Sequence, residues 1–222
     1  MVEVFIALGV GALAAALAAS FLWNEKARIR RQLRGAHRYP IGDLEEGQLG
    51  RVVGKVGEGP TLQAPLTGRS CVLYEATVEQ YVSNGKSGSW RQVAREVRGV
   101  PFVLDDGSGR AIVDPSGARV AVDIDMTTRS GTFDDPTTVE AQFLARHGQR
   151  ATGWVFNKSL RYREGVVEIG ETIAVMGQGV REPDLDAASK AQGYRGGPPT
   201  RLRLGGSARH PILLSDAPDT LR

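Results

Sequence analysis

The stretch APLTGRSCVLYEATVEQY, Ala64 to Tyr81, holds Cys71, the only cysteine of the 222-residue chain. A thiol becomes a nucleophile when a neighbouring base or cation lowers its pKa. No histidine stands at a telling spacing from it. His37, His147 and His210 are far apart in sequence and show no metal-ligand pattern. Free cysteine is otherwise among the most buried residue types, and CVLY reads as the start of a buried strand. Cys71 is therefore expected to fill core space, with Pro65 and Gly68 shaping the turn ahead of it. One cysteine also excludes an internal disulfide and a cysteine-rich zinc site.

Carboxylates offer a second chemistry. Asp105, Asp106, Asp123 and Asp125 can be read as a cluster for a cation or for acid–base work. Against that, DDGSG is turn chemistry between two strands, and Asp123 and Asp125 share one strand face, as at a solvated edge. The turn reading is the stronger. No catalytic residue, metal ligand or cofactor site is assigned, and no cofactor is expected. YRGGPPT lacks the Lys-Ser/Thr and the helix of a phosphate-binding loop. Trp90, Trp154 and Tyr162 can stack on bases, but core and cross-strand packing is the stronger reading. A net charge of +3 does not mark a nucleic-acid binder.

A third group is basic. Val4 to Trp23, VFIALGVGALAAALAASFLW, carries no charge, and about 20 apolar residues suffice to cross a bilayer as a helix. Lys26, Arg28, Arg30, Arg31, Arg34 and Arg38 follow it, against Glu25. The positive-inside rule keeps that side in the cytoplasm. The expected organisation is a transmembrane anchor at 1–23, a basic juxtamembrane segment at 24–40, and a β domain at 41–222 that is loop-rich over 184–208. The protein is thus expected at the cell membrane, single-pass, with its β domain cytoplasmic. The rival is a cleaved secretory signal ending near Ala16-Leu17-Ala18, but its positive charge would precede the apolar run. The six basic residues can contact lipid headgroups or simply set topology. Gly11, Ala15 and Ala19, four apart, can pack a second membrane helix and make a homo-oligomer, although an Ala-rich helix holds such spacings by chance. Arginine far outnumbers lysine (Lys26, Lys55, Lys86, Lys158, Lys190), and with so much Ala and Gly this is the composition a GC-rich bacterial genome produces.

The elements that must position these residues are mostly strands. Gly50 to Gly59 alternates between glycines. Tyr74, Ala76 and Val78 face one way and Glu75, Thr77 and Glu79 the other. Asn84-Gly85 turns the chain into Trp90 to Val97, making a long hairpin. Val100 to Ile124 reads as a meander of three short strands, and Arg161 to Gly179 as two or three more. Asp135 to Gly148 is the one clear helix, with Thr137 or Thr138 as cap, Gly148 as stop and Val139, Phe143 and Leu144 as its apolar stripe. A strand is expected near Leu202 and a last one in His210 to Asp216. The fold class is mainly β, an antiparallel barrel-like or sandwich domain with one or two short helices, plus the N-terminal transmembrane helix.

Taken in order, APLTGRSCVLYEATVEQY, Trp90, VPFVLDDGSGRAIVDPSGARV, GETIAVMGQG and HPILLSD resemble a known family. They are similar to the GIDE-type, or BAM ("beside a membrane"), domain, the middle domain of mitochondrial ubiquitin ligases that carry a RING. The resemblance spans about Gly47 to Asp216. It rests on Pro65, Gly68, Cys71, Tyr74, Trp90, Pro101, Phe102, Asp105, Gly109, Pro115 and Gly117. It implies a membrane-adjacent module that recruits or recognises partners. A RING needs several Cys and His ligands, and Cys71 alone cannot supply them, so ubiquitin transfer is not expected of these residues. The ligases also have a second membrane helix after the domain, and no second apolar run occurs here. In the ligases the domain lies across the membrane from the RING, whereas here the charge rule places it in the cytoplasm. The expected function is a membrane-tethered recognition module for a protein or lipid partner. The alternatives are a tethered enzyme using Cys71 or the Asp105/Asp106 turn, and an OB-like oligomeric membrane scaffold.

Overall fold

The computed structural model describes residues 25–83, 85, 87–130, 137–149, 159–184, 200–207 and 209–222. In chain order these form helix α1 (25–35) and strands β1 (Leu49–Val56), β2 (Leu62–Gln63), β3 (Ser70–Cys71), β4 (Leu73–Ser83), β5 (Gly88–Gly99), β6 (Phe102–Asp105), β7 (Arg110–Val113), β8 (Arg119–Val120) and β9 (Met126–Ser130). Helix α2 (Thr138–Arg146) follows, then β10 (Leu160–Val167), β11 (Thr172–Pro183), β12 (Thr200–Gly205) and β13 (Leu213–Ser215).

Five of these strands close on themselves. β1 pairs with β6, β6 with β7, β7 with β12, β12 with β11, and β11 returns to β1. This is a Greek-key barrel with the strand order of an OB fold. Each strand sends alternate residues into the interior, as a period of two requires: Val52 and, past Gly54, Val56; Phe102 and Leu104; Ala111 and Val113; Ile173 and Val175; Leu202 and Leu204. The choice between barrel and sandwich is thereby made. Two joins are parallel, β7–β12 and β8–β13, so the sheet is not antiparallel throughout. The expected three-strand meander holds only for β6 and β7. β8 leaves it to extend the barrel wall beside β13.

The chain between barrel strands builds a second sheet, in the order β5-β4-β10-β9. β4 and β5 form the long hairpin, with a bulge at Val78/Glu79. Tyr74, Ala76 and Val78 pack with Leu160, Tyr162 and Val166 under Phe143 and Leu144 of α2. Thr137 caps α2, its hydroxyl accepting the Glu140 N–H while the Glu140 carboxylate accepts the Thr137 N–H, a reciprocal box. Val139, expected in the apolar stripe, is instead exposed.

β10 crosses close beneath residues 122–123. A Cβ on Gly165 would sit 2.0 Å from the Asp123 carbonyl oxygen, so only glycine lets the two backbones approach this way. No helix among the described residues is long and apolar enough to cross a membrane, and the uncharged run at 4–23 lies outside them. Gly165→Ala is expected to destabilise the fold by about 3 kcal/mol or more, since both clashing groups are backbone-anchored. Denaturant unfolding measures this, and a wild-type midpoint would refute the close approach.

Candidate functional site

Cys71 is fully buried, with its Sγ 3.7 Å from the Leu62 carbonyl oxygen. Burial, helped by the negative charge of Glu164 and Glu168, pushes the thiol up to about 11. It is a neutral core group, the reverse of an activated nucleophile. The turn ahead of it is held by a carboxylate that sequence reasoning missed. Glu164, fully buried on β10, accepts the N–H groups of Leu66 at 2.8 Å and Thr67 at 3.0 Å, and the Thr67 hydroxyl as well. Its signal was available: Glu164 stands between Tyr162 and Val166 on the inward side of an alternating strand.

Asp105 and Asp106 are turn formers, whereas Asp123 and Asp125, expected on one strand face, lie between β8 and β9 outside any strand. Asp105 accepts the Gly107 N–H at 2.8 Å. Asp106 accepts the N–H groups of Ser108, Gly109 and, across to the 3-10 turn at Ile41–Asp43, Ile41. Burial alone would raise the Asp106 carboxyl, but hydrogen bonds from Ser108, Ile41 and Gly109 hold it below its usual value. Asp125 accepts the Val166 N–H at 2.8 Å, while Asp123 pairs with Arg30. Among the described residues no three His, Cys, Asp or Glu side chains gather closely enough to hold a metal ion.

The remaining motif positions spread out rather than converge on one centre. Phe102 lies inside the barrel and Pro101 is exposed just before it. Tyr74, Pro115 and Gly117 line one open cleft of about 590 Å³. Pro65 and Gly68 line another, against α2. Trp90 lies far along the hairpin, edge-on to Tyr81 at 5.4 Å and covered by the Arg161 guanidinium at 4.3 Å. Tyr162 is fully buried, and burial pushes its phenol up to about 12. Trp154, Gly11, Ala15 and Ala19 lie outside the described residues. A further network was invisible in the sequence: the Tyr74 hydroxyl donates to Glu96 at 2.5 Å, and Glu96 meets His147 Nε2 at 3.0 Å. Burial and this bond to Glu96 raise the Tyr74 phenol, so it stays a donor that ties the hairpin to the end of α2.

The most organised charge lies around α1. Lys26, Arg30 and Arg34 are spaced by four and so share a helix face. Each meets a carboxylate of the body: Glu75 at 2.6 Å, Asp123, and Asp219 at 3.5 Å. Lys26 also donates to the Val122 carbonyl oxygen at 2.9 Å. Glu75 is 2 % exposed and is held from its other side by Arg95 at 2.9 Å. Ile29 and Leu33, on the adjoining face, pack with Val53, Ala174 and Leu213 on the barrel's outside. Arg28 and Arg31 stay exposed on a third face. Among the described residues the Arg38 side chain reaches only the Leu221 carbonyl oxygen, at 3.5 Å. Among the described residues, three of the six basic residues are therefore bound to carboxylates of the body, two meet no carboxylate and one lies at the margin.

A family model described as GIDE, E3 ubiquitin ligase, matches residues 73–192, more than half of the chain. The chain belongs to the GIDE family. No curated relative and no solved structure matches it. The GIDE match begins at the first residue of β4 and takes in β4 to β11 with α2. Tyr74, Trp90, Pro101, Phe102, Asp105, Gly109, Pro115 and Gly117 fall within it, while Pro65, Gly68 and Cys71 precede it. In GIDE terms, α1, β1 and β12 are outside the matched span, although β1 and β12 are both needed to close the barrel.

Two measurements test this chemistry. Glu164→Gln presents an amide NH₂ to backbone donors and is expected to destabilise by about 1–3 kcal/mol; an unchanged melting temperature would refute the pinned turn. Asp216 accepts the Asp123 N–H at 2.8 Å. Burial, reinforced by Asp123 and Asp125, pushes its carboxyl up to about 6. Between about pH 4 and pH 6 the folded protein thus keeps a proton that the unfolded chain has released, so this group's contribution to stability falls as pH rises through that window and is level above it. Asp216→Asn keeps the acceptor oxygen and removes the slope. Melting temperatures against pH should show the variant gaining on the wild type from pH 4 to 6, and parallel curves would contradict the raised carboxyl.

Proposed function

We propose that this GIDE-family protein is a membrane-anchored recognition module: the run at 4–23 spans the bilayer once, the β domain stands on the cytoplasmic side, and the domain recruits a protein partner there. The observation that carries the reading is the seating of α1. This helix follows directly on the uncharged run, yet Ile29 is 2 % and Leu33 0 % exposed against the barrel, and three ion pairs lock its neighbouring face. Burying two such side chains contributes roughly 3–6 kcal/mol, so α1 is part of the body and not a loose linker. A short rigid connection keeps the domain within a small volume at the surface and raises its effective concentration for anything docked there.

The test is crosslinking of the full-length tagged protein in intact membranes, read by mass spectrometry, beside a variant with intact residues 1–40 and a scrambled body. One dominant partner that depends on the body is the expected result. Identical crosslinks from both proteins would overturn recruitment by the β domain. Extraction of the protein from membranes by alkaline carbonate would overturn the anchor.

A further inference from the structure

A further cleft, of about 810 Å³, runs along the outer flank of α1, on the side away from Glu75. Three separate chain segments line it with basic side chains. Arg28 and Arg31 come from α1, Arg119 from β8, and Arg209 with His210 from the turn before β13. No carboxylate among the described residues lines it. Arg28 and Arg209 meet no carboxylate among the described residues, and Arg119 reaches only Glu25, at 4.0 Å. This contrasts with the cleft on the other flank of α1, where Lys26, Arg30, Arg95 and Arg163 are interleaved with Glu25, Glu75, Glu79 and Asp123. Both clefts border the same helix, yet one is neutralised from within and the other is not. Gathering guanidinium groups without an anion costs self-repulsion, and a bound anion removes that cost.

We propose that this cleft binds the phosphate of an anionic phospholipid headgroup. Guanidinium forks match phosphate oxygens two at a time, and groups arriving from three segments can grip one phosphate from several sides. The rest of the lining favours a lipid over a bare ion. Leu49, Met176, Pro211 and Leu213 put apolar surface beside the arginines, which suits the glycerol and first methylenes of an amphiphile. Position agrees: Arg28 and Arg31 lie within about 9 Å of residue 25 along the helix axis at 1.5 Å per residue. The proposal gives a ligand to the membrane-anchored reading and rests on it only for the source of the phosphate.

The experiment compares full-length wild type with Arg28→Gln/Arg209→Gln and with a charge-matched control, Arg34→Gln/Arg110→Gln, whose arginines are exposed and pair with Asp219 and Asp105 instead. All four positions are exposed, so folding is expected to be kept, and melting temperatures check it. In one arm, inorganic phosphate is titrated into each protein in neutral maltoside micelles. In the other, each protein sits in phosphatidylcholine nanodiscs doped with a headgroup-photoactivatable phosphatidylglycerol. The cleft variant is expected to lose about tenfold or more in phosphate affinity, as removal of charge-assisted hydrogen bonds implies, and to lose the lipid label on peptides around residues 25–38 and 209–215. The control is expected to keep both. Phosphate binding that depends on Arg28 and Arg209 without lipid labelling would keep the phosphate site and overturn the lipid as its source. Failure of the protein to enter nanodiscs would tell against the anchor, while the phosphate arm still decides the cleft. Equal behaviour of cleft variant and control in both arms overturns the proposal.

Discussion

Everything in this molecule hangs on β1 serving two neighbours. Residues Leu49 to Lys55 pair along β11, and at its far end Lys55 and Val56 pair with Asp105 and Leu104 of β6. That double engagement turns a row of strands into a closed barrel, and closure removes the sheet edges that would otherwise invite association. It also explains why β1 is buried on both sides. Val52 points into the barrel and Val53 lies under α1, so its burial runs nearly unbroken where a half-exposed strand would alternate. Arg51, just before them, is 6 % exposed and donates to the carbonyl oxygens of Thr220 and Arg222, which ties the last turn of the chain to the same strand.

The barrel is a frame, and the distinctive parts are inserted into it. The second sheet carries apolar groups under α2 on one face and Glu75 and Thr77 on the other. That buried carboxylate is tolerable because Lys26 and Arg95 meet it. A charge on β4 and a charge on α1 thus depend on each other, and the helix is fixed in rotation as well as position. With rotation fixed, the flank that carries Arg28 and Arg31 has one place to face.

Local signals were legible where local physics decides. Thr137, one of two expected caps, announced the start of α2, and Tyr74, Ala76 and Val78 announced the inner face of β4. The DDGSG turn followed from residues that favour such turns, whereas Asn84 of the expected hairpin turn lies outside the described residues. Relations between distant segments were not legible. Nothing near Arg119 and Val120 says that β8 will lie beside β13 and not β7, because a parallel pairing leaves no turn to read. The six basic residues after the apolar run looked equivalent. Their spacing already separated Lys26, Arg30 and Arg34 from Arg28 and Arg31, but only the positions of Glu75, Asp123 and Asp219 give the separation a meaning. Glu164 was readable as an anomaly on an apolar face, whereas its partners at Leu66 and Thr67 were not.

The parallel join of β7 to β12 brings Ala111 and Leu202 into register. Closing a loop of that length has an entropy cost, which is recovered only once both ends are present. During synthesis, the hairpin of β4 and β5 can form as soon as residue 99 has emerged, and its contacts are local. The barrel cannot shut until the residues of β12 have left the ribosome. In the interval the inward faces of β1, β6 and β7 stand open, with Val52, Phe102 and Val113 bare to water. A nascent chain of this kind has a vulnerable period set by its own connectivity, in which the inserted sheet is ordered before the barrel that carries it.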